Sequence, residues 1–270
     1  MNKARNILRN WTTAATVVAG ACALASSAQA VTISMQDRDV ARAVSLGGSC
    51  TRCELSGRDL SGASFSGASF QNATMVGANL RAAVMMHSRF QNARFDGADL
   101  RGATMLGSNY DGATFRAANL NGIVATGSNF SDADLRNADM TGADLVGSVF
   151  RNADMRLAKM RRAKMFGLSM QNADGRGADL RQAEMVGANL SEADLRSANL
   201  VDANLTATRL ANADLRMANM NGASLRHSDI RGTDLRGVRG LTQDMVDQAC
   251  GNASTRLPGS LTVRVCRGRE

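Results

Sequence analysis

The large apolar residues of this chain recur every five positions, a period that neither an α-helix nor a flat strand has. One falls on every multiple of five from Leu55 to Leu235 except Ala125 and Gly175, in 37 consecutive units without an insertion or deletion. If this residue is position i, then i−2 is alanine in 26 units, and i+2 is glycine in 18 and asparagine in 6. A small and a large inward residue, followed by one that tolerates positive φ, predict a short strand and then a turn. A chain that turns the same way every five residues winds into a coil.

A second period, of twenty residues, lies inside the first. Glycine at i+2 recurs at that spacing from Gly107 to Gly187, and serine replaces alanine at i−2 from Ser88 to Ser148. Four units per coil explain both columns and predict that like residues stack. The absence of proline between residues 50 and 241 agrees, because every backbone N–H is needed for bonds between coils. The predicted core ladder is Phe70, Phe90, Tyr110, Phe130 and Phe150.

Two units depart from the pattern. Ala125 is small for its position, but Ile123, which also points inward, is correspondingly large, so the volumes compensate. Gly175 has no such compensating neighbour, and methionine suits irregular space. Either that gap is filled by Met155, Met160, Met165 and Met170, or a cavity or a local distortion remains there.

The repeated pattern A(D/N)LxG resembles the pentapeptide-repeat family over residues 50–241. The resemblance implies an all-β fold, a right-handed quadrilateral β-helix (a solenoid), and 37 units at four per coil give about nine coils. Short helical caps are expected at both ends, within residues 31–49 and 242–270. The first helix is predicted over 37–48. The second is predicted to be capped by Thr242, to carry Met245, Val246, Ala249 and Cys250, and to end at Gly251.

Residues 1–30 have the pattern of a secretory signal peptide. Lys3, Arg5 and Arg9 form a basic start, a short apolar stretch follows, and Ala-Gln-Ala precedes the predicted cleavage point after Ala30. We therefore predict a periplasmic or secreted protein whose mature chain has no transmembrane segment. Lipidation at Cys22 is a weaker alternative, because the leucine usual three positions earlier is missing. Cleavage removes three basic residues and no acids, which lowers the net charge from +8 to +5, so no nucleic-acid partner is expected.

Four cysteines remain after cleavage, an even number that favours disulfides in an exported chain. Cys50 and Cys53 occupy successive inward positions across one predicted turn, within disulfide reach. Cys250 and Cys266 are predicted to close the C-terminal cap. A thiol–disulfide enzyme that uses Cys50 and Cys53 is an alternative, although such a pair normally stands at a helix N-terminus and a strand follows here.

The outward positions are where function is expected. On the face that carries Leu55, arginine recurs at i+1, which suggests a phosphate-binding stripe. Aspartate stands two residues before each of the last six arginines, however, so we interpret the two columns as a mutually neutralising ion lattice. Its residues include Asp134, Arg136, Asp154, Arg156, Asp194, Arg196, Asp214 and Arg216.

The face that carries Phe65 is unusually apolar on its outside. A contiguous apolar stripe favours a contact surface, and the alternatives are cover by an end segment or simple tolerance. His87 and His227 lie on this face seven coils apart, roughly 34 Å at the spacing of neighbouring strands, so they cannot share a metal. The candidate interface residues are Val84, Met86, Leu106, Val124, Val146, Phe166 and Val186.

These features predict a non-enzymatic protein without cofactor or metal, since no base is positioned to activate a serine. We expect a rigid scaffold in the cell envelope that binds an unknown protein or envelope partner, and a homodimer remains open. By the family resemblance, quinolone-resistance members mimic DNA and bind gyrase. The export signal and the neutral to basic faces disfavour that alternative here.

Overall fold

The computed structural model describes residues 48–266. The predicted signal peptide, Cys22 and the predicted helix over 37–48 lie outside the described residues, apart from residue 48 itself. Within that range the chain has one α-helix, α1 (Gln243–Asp247), and its strands are single-residue bridges. None of the helices in this part of the chain is long and apolar enough to cross a membrane.

The chain winds so that each residue stacks on the residue twenty positions later. Parallel bridges join Glu54 to Thr74 and Thr74 to Arg94, and the same step continues without a break up to Arg239. Twenty residues per coil mean four five-residue units per coil and a four-sided cross-section. The total number of coils stays a prediction.

Backbone hydrogen bonds between coils follow one scheme throughout. The N–H of Leu55 donates to the carbonyl of Thr74 at 2.7 Å, and the N–H of Thr74 donates back to Cys53 at 2.8 Å. The corner residue Gly57 donates to Val76 at 2.9 Å. Three backbone N–H groups in each unit are thus used between coils, which explains why the repeats contain no proline.

Each corner is a turn with a left-handed third residue. The N–H of Arg58 donates across the first full corner to the carbonyl of Leu55 at 3.3 Å. At i+2, φ lies between 52° at His87 and 71° at Gly67 in every repeat corner. Glycine and asparagine adopt this φ most easily, which accounts for their frequency at that position.

Bulky corner residues lean toward the following coil, where glycine stands. A Cβ atom at Gly177 would lie 2.9 Å from Cδ2 of Leu157, and one at Gly237 would lie 2.6 Å from Sδ of Met217. Glycine at these positions therefore provides both the positive φ and the space for the side chain of the coil before it.

The interior consists of stacked apolar side chains. The aromatic rings of Phe70, Phe90, Tyr110, Phe130 and Phe150 lie one above another, with centroids 4.7–5.1 Å apart and nearly parallel planes. Burial raises the pKa of the Tyr110 hydroxyl far above its ordinary value.

A buried serine column is hydrogen-bonded into the turns below it. The hydroxyl of Ser108 accepts from the N–H of Ser88 at 2.9 Å and donates to the carbonyl of Met85. The turn from Met85 to Ser88 lacks the direct backbone hydrogen bond across the corner, and the Ser108 hydroxyl links its two ends instead. Buried hydroxyls are tolerated here because each has a partner.

The gap at Gly175 is filled chiefly by the leucine one coil later. A Cβ atom at Gly175 would lie 2.8 Å from Cδ2 of Leu195, and the nearest methionine atom is Cε of Met170 at 3.9 Å. The expectation that methionines fill the gap is therefore right only in part.

The other irregular unit is packed as predicted. Ile123 and Ala125 are both buried, so the large and the small side chain lie inside the same unit of the coil.

The coil continues past the last repeat. Thr242 caps α1 by accepting from the N–H of Met245 at 3.3 Å. The helix was predicted to run on to Gly251, which is wrong, because Cys250 forms a bridge with Asp229 instead. Its backbone satisfies the N–H of Ile230 and the carbonyl of Ser228, which would otherwise lack partners.

Both cysteine pairs form disulfides. The Cα atoms of Cys50 and Cys53 are 5.4 Å apart, and those of Cys250 and Cys266 are 4.8 Å apart. The first pair lies in the first described coil and the second follows the last repeat.

The packing at Gly175 predicts that the effect of Gly175→Leu on the free energy of unfolding reverses its sign when Leu195 is shortened to alanine. Gly175→Leu restores the pattern of the repeat, but we expect it to destabilise the protein by about 1–3 kcal/mol, because Leu195 already fills the space. Leu195→Ala alone should cost about 2–5 kcal/mol. In that background Gly175→Leu should be stabilising, as measured by denaturant unfolding.

The control background is Leu100→Ala, a core leucine several coils away. Gly175→Leu should remain destabilising there, because distant sites add independently. Equal effects of Gly175→Leu in both backgrounds would contradict the packing described at Leu195.

Candidate interaction faces

The ion lattice is a continuous ladder of guanidinium and carboxylate groups on the face that carries Leu55. Nη2 of Arg136 lies 2.6 Å from Oδ2 of Asp134 in the same coil, while its Nε lies 3.4 Å from Oδ2 of Asp154 in the next. Each carboxylate is thus placed between two guanidinium groups. The ladder continues through the pairs Asp154–Arg156, Asp174–Arg176, Asp194–Arg196, Asp214–Arg216 and Asp234–Arg236.

The first arginine of the column departs from this scheme. Thr114 stands where the later coils have aspartate, and Arg116 instead pairs with Asp96 of the preceding coil at 3.0 Å. Because carboxylates occupy two nitrogens of each guanidinium group, the column offers little free positive charge to a phosphate chain.

The lattice lowers the pKa of three of its carboxyl groups, those of Asp154, Asp194 and Asp234. The hydrogen bond from the Arg236 side chain, aided by its backbone N–H and the charge of Arg216, lowers the pKa of Asp234 to about 2. Burial acts to raise the pKa of Asp154, but the hydrogen bonds from Arg156 and the nearby charges outweigh it, so this pKa also lies below its ordinary value. These aspartates therefore remain charged in mildly acidic solution.

A shallow groove of about 680 Å³ runs beside the arginine column. Two apolar corner residues project into it, Leu157 (59% exposed) and Met217 (62% exposed). They were not predicted from the sequence, although a large apolar residue at i+2, where glycine is usual, was a visible signal. The other lining residues are Arg136, Asn137, Arg156, Arg176, Gly177, Arg196, Ser197 and Arg216.

The seven candidate interface residues lie in two neighbouring columns of one face, which we call the apolar face. Val124 and Phe166 are each 39% exposed, and the other five are half-buried. Beside them runs a glycine column, and a Cβ atom at Gly147 or Gly167 would meet nothing within 4 Å. The result is an apolar strip that is bordered along one edge by backbone without covering side chains. Its members are Val84, Met86, Leu106, Val124, Val146, Phe166 and Val186.

Charge is unevenly distributed along the axis. The coil formed by residues 151–170 carries six basic residues and one acid, whereas the preceding coil, residues 131–150, carries four acids and one arginine. The basic residues of the later coil are Arg151, Arg156, Lys159, Arg161, Arg162 and Lys164. Neighbouring coils of opposite net charge thus lie at the middle of the apolar face.

One group of side chains has metal-ligand spacing. A carboxylate oxygen of Asp229 and the sulfurs of Cys250 and Cys266 lie within 4.8 Å of one another. The two sulfurs are bonded to each other, so they offer no thiolate to a metal ion.

Family models of pentapeptide repeats match this chain along its coiled region. One, described as a pentapeptide repeat region, matches residues 49–125, and the other matches eight copies in overlapping segments from residue 108 to residue 237. The chain belongs to the pentapeptide-repeat family. Among curated proteins none matches it.

Solved pentapeptide-repeat structures resemble it to different degrees. HetL, a protein involved in heterocyst differentiation regulation in the cyanobacterium Nostoc sp. strain PCC 7120, is 25% identical, with 70% of this chain and 83% of HetL covered and a TM-score of 0.60. A thylakoid-lumen protein of Arabidopsis thaliana is 32% identical over 47% of this chain and 81% of its own, with a TM-score of 0.21. QnrB1, a plasmid-mediated fluoroquinolone resistance protein, is 21% identical over 63% of this chain and 90% of its own, with a TM-score of 0.29. The likeness to HetL implies that this pentapeptide-repeat chain is likewise a right-handed quadrilateral β-helix.

The lowered pKa of Asp234 predicts how acid weakens the lattice of this pentapeptide-repeat protein. Because the folded-state pKa of about 2 lies below the ordinary value of 3.8, the stabilisation is complete above pH 3.8 and is lost as the pH falls toward 2. Asp234→Asn removes this titration, so thermal unfolding of that variant should depend less on pH in this interval than that of the wild type. Identical pH dependence of the two melting temperatures would contradict the assignment.

Proposed function

We propose that this pentapeptide-repeat protein is an exported, non-enzymatic scaffold whose apolar face binds a protein of the cell envelope. The observation that carries the proposal is the continuity of that face. Along the i+1 column Thr126 alone interrupts a run of apolar residues from Met86 to Val186. Extended apolar strips on a protein surface mark contact sites, because exposing them to water is unfavourable.

The flatness of the face suits a protein partner better than a small ligand. Small molecules bind in concave pockets that enclose most of their surface. Neither the groove beside the arginine column nor the recess at Arg226 and His227 is lined by the seven residues of the apolar face. The glycine column of that face allows a flat partner to approach the backbone closely. A rigid, extended partner surface would cover the largest apolar area of such a strip.

The face that carries Leu55 supports the choice of the apolar face by contrast. On the opposite face the charges pair with each other in the ion lattice, and exposed pairs of that kind contribute only about 0–1 kcal/mol each. A surface whose charges are already paired gives little to a partner. The apolar face, by contrast, contributes free energy whenever it is covered.

Two alternatives receive less support. The sulfurs of a thiol–disulfide enzyme must meet a substrate, but Cys50 and Cys53 are 4% and 8% exposed. A DNA mimic needs an acidic surface, whereas the coil formed by residues 151–170 is strongly basic.

The interface is tested by adding charge to it. The triple variant Val124→Lys, Val146→Lys, Phe166→Lys should reduce partner recovered in affinity capture from the envelope fraction at least tenfold, because burying unpaired lysines is costly. The matched control places three lysines on the opposite face at outward, half-buried positions, as Thr74→Lys, Val76→Lys and Thr114→Lys. Equal recovery with both variants would remove the proposal.

Export is tested separately by the chemistry of the mature chain. Mass spectrometry of the purified protein should find Val31 as its first residue, and Cys50, Cys53, Cys250 and Cys266 should resist alkylation until a reductant is added. An uncleaved product recovered from the cytoplasm with reactive thiols would rule out an exported function.

A further inference from the structure

At the centre of the apolar face, a charged pair of residues and an apolar pair stand side by side. Asp144 and Lys164 are consecutive members of one column, joined by a backbone bridge. Val146 and Phe166 hold the same two levels in the neighbouring column. Suppose that a second copy packs against this face after a two-fold rotation that exchanges the two levels. The opposite charges of the two copies then meet, and so do their apolar side chains.

Neither charge is neutralised by an ion pair within residues 48–266. Asp144 accepts a hydrogen bond from the hydroxyl of Thr126 at 3.2 Å and one from the N–H of Val146 at 3.3 Å. Lys164 is exposed and forms no salt bridge with a described residue. Both side chains are thus available to a partner in front of the face.

We infer that the apolar face binds a second copy of this chain, in an antiparallel dimer with its two-fold axis between the levels of Asp144 and Lys164. In that arrangement Asp144 meets Lys164 of the second copy, and Val146 meets Phe166 of the second copy. Each contact occurs twice by symmetry. The dimer rests on the function proposed above only in taking the apolar face as a contact surface, and it names the occupant of that face.

The parallel alternative is physically worse. Face-to-face packing with an axis along the rod would place the i−1 column of one copy against the i+1 column of the other at the same level. Asp144 would then lie against Val146 and Lys164 against Phe166 of the second copy, which buries charges without partners. The antiparallel arrangement avoids this cost at the two central levels, those of Asp144 and Lys164.

The charges of whole coils favour the same arrangement. An axis between these two levels places the basic coil of residues 151–170 opposite the acidic coil of residues 131–150 of the second copy. Complementary fields of this kind steer association and reject wrong registers. The glycine column of each copy, including Gly147 and Gly167, also meets its counterpart and permits close approach.

The size of the face sets the expected affinity. The eight levels from Val84 to Ser224 give a height of about 38 Å, and three extended residues give a width of about 10 Å. Two copies then bury roughly 800 Å² in total, which is the range of weak, reversible interfaces. We therefore expect a dimer with a micromolar dissociation constant, populated at high protein concentration.

Analytical ultracentrifugation of the full mature protein over a concentration series tests the dimer. Wild-type protein should approach twice the monomer mass at high concentration. Asp144→Lys and Lys164→Asp should each weaken dimerisation at least tenfold, because each creates two like-charge contacts. An equimolar mixture of these two variants should restore a dimer, since each then supplies the charge that the other lacks.

Glu184→Lys is the matched control for register. Glu184 belongs to the same column, but in the inferred dimer it faces Val124 of the second copy, so its reversal should leave dimerisation within about twofold of the wild type. Circular dichroism and melting temperature show that each variant is folded. A monomeric wild type, or a mixture of the two variants that stays monomeric, would overturn the dimer.

The dimer and the proposed function can fail separately. If the wild type is monomeric but the triple lysine variant still loses a captured protein, the face binds a different partner and the dimer is wrong. If the dimer forms and capture is unaffected by the triple variant, the self-contact stands and the envelope partner does not.

Discussion

The parallel hydrogen-bond ladder between residues twenty positions apart is the constraint on which this structure depends. It joins each coil to the next through backbone groups, so it demands no particular side chain, but it does demand constant length. A single inserted residue would shift every later inward residue to an outward position. The unbroken count of 37 units is therefore a structural requirement. Core and surface are both organised in columns because the ladder aligns the chain with itself.

Columns make the surface periodic, and a periodic surface tends to neutralise itself. On the face that carries Leu55, aspartate and arginine alternate and compensate each other from coil to coil. What distinguishes one part of such a rod from another is the departure from the repeat. The basic coil of residues 151–170, the exposed side chain of Phe166 and the corner residue Leu157 all belong to one coil. Recognition is expected where the repeat changes and not where it is perfect.

The sequence predicted those features that depend on position within the repeat. The inward columns, the positive φ at i+2 and the stacking of Phe70 on Phe90 follow from the periods of five and twenty alone. Features that depend on the direction in which a side chain leans were not predictable in this way. Leu195 fills the space at Gly175, and Leu157 extends over Gly177, because both reach along the axis to a neighbouring coil. The end of the solenoid was misjudged for a related reason, since the bridge from Cys250 to Asp229 comes from a segment without the repeat. The paired charges were visible in the sequence, but the contact of the arginines from Arg116 to Arg216 with an aspartate of the next coil was not.

The ends of a solenoid are its weakest parts, and here they carry the covalent cross-links. An interior coil has two neighbours, whereas a terminal coil has one, so fraying begins at the ends. Cys50–Cys53 lies in the first described coil, and Cys250–Cys266 joins the segment that follows the last repeat to the chain beyond it. A disulfide limits the conformations that a frayed end can reach, and it persists only in an oxidising compartment. The placement of both cross-links at the two ends of the described coils therefore fits the exported scaffold proposed above, while the central coils, held on both sides, are free to vary their outward residues for binding.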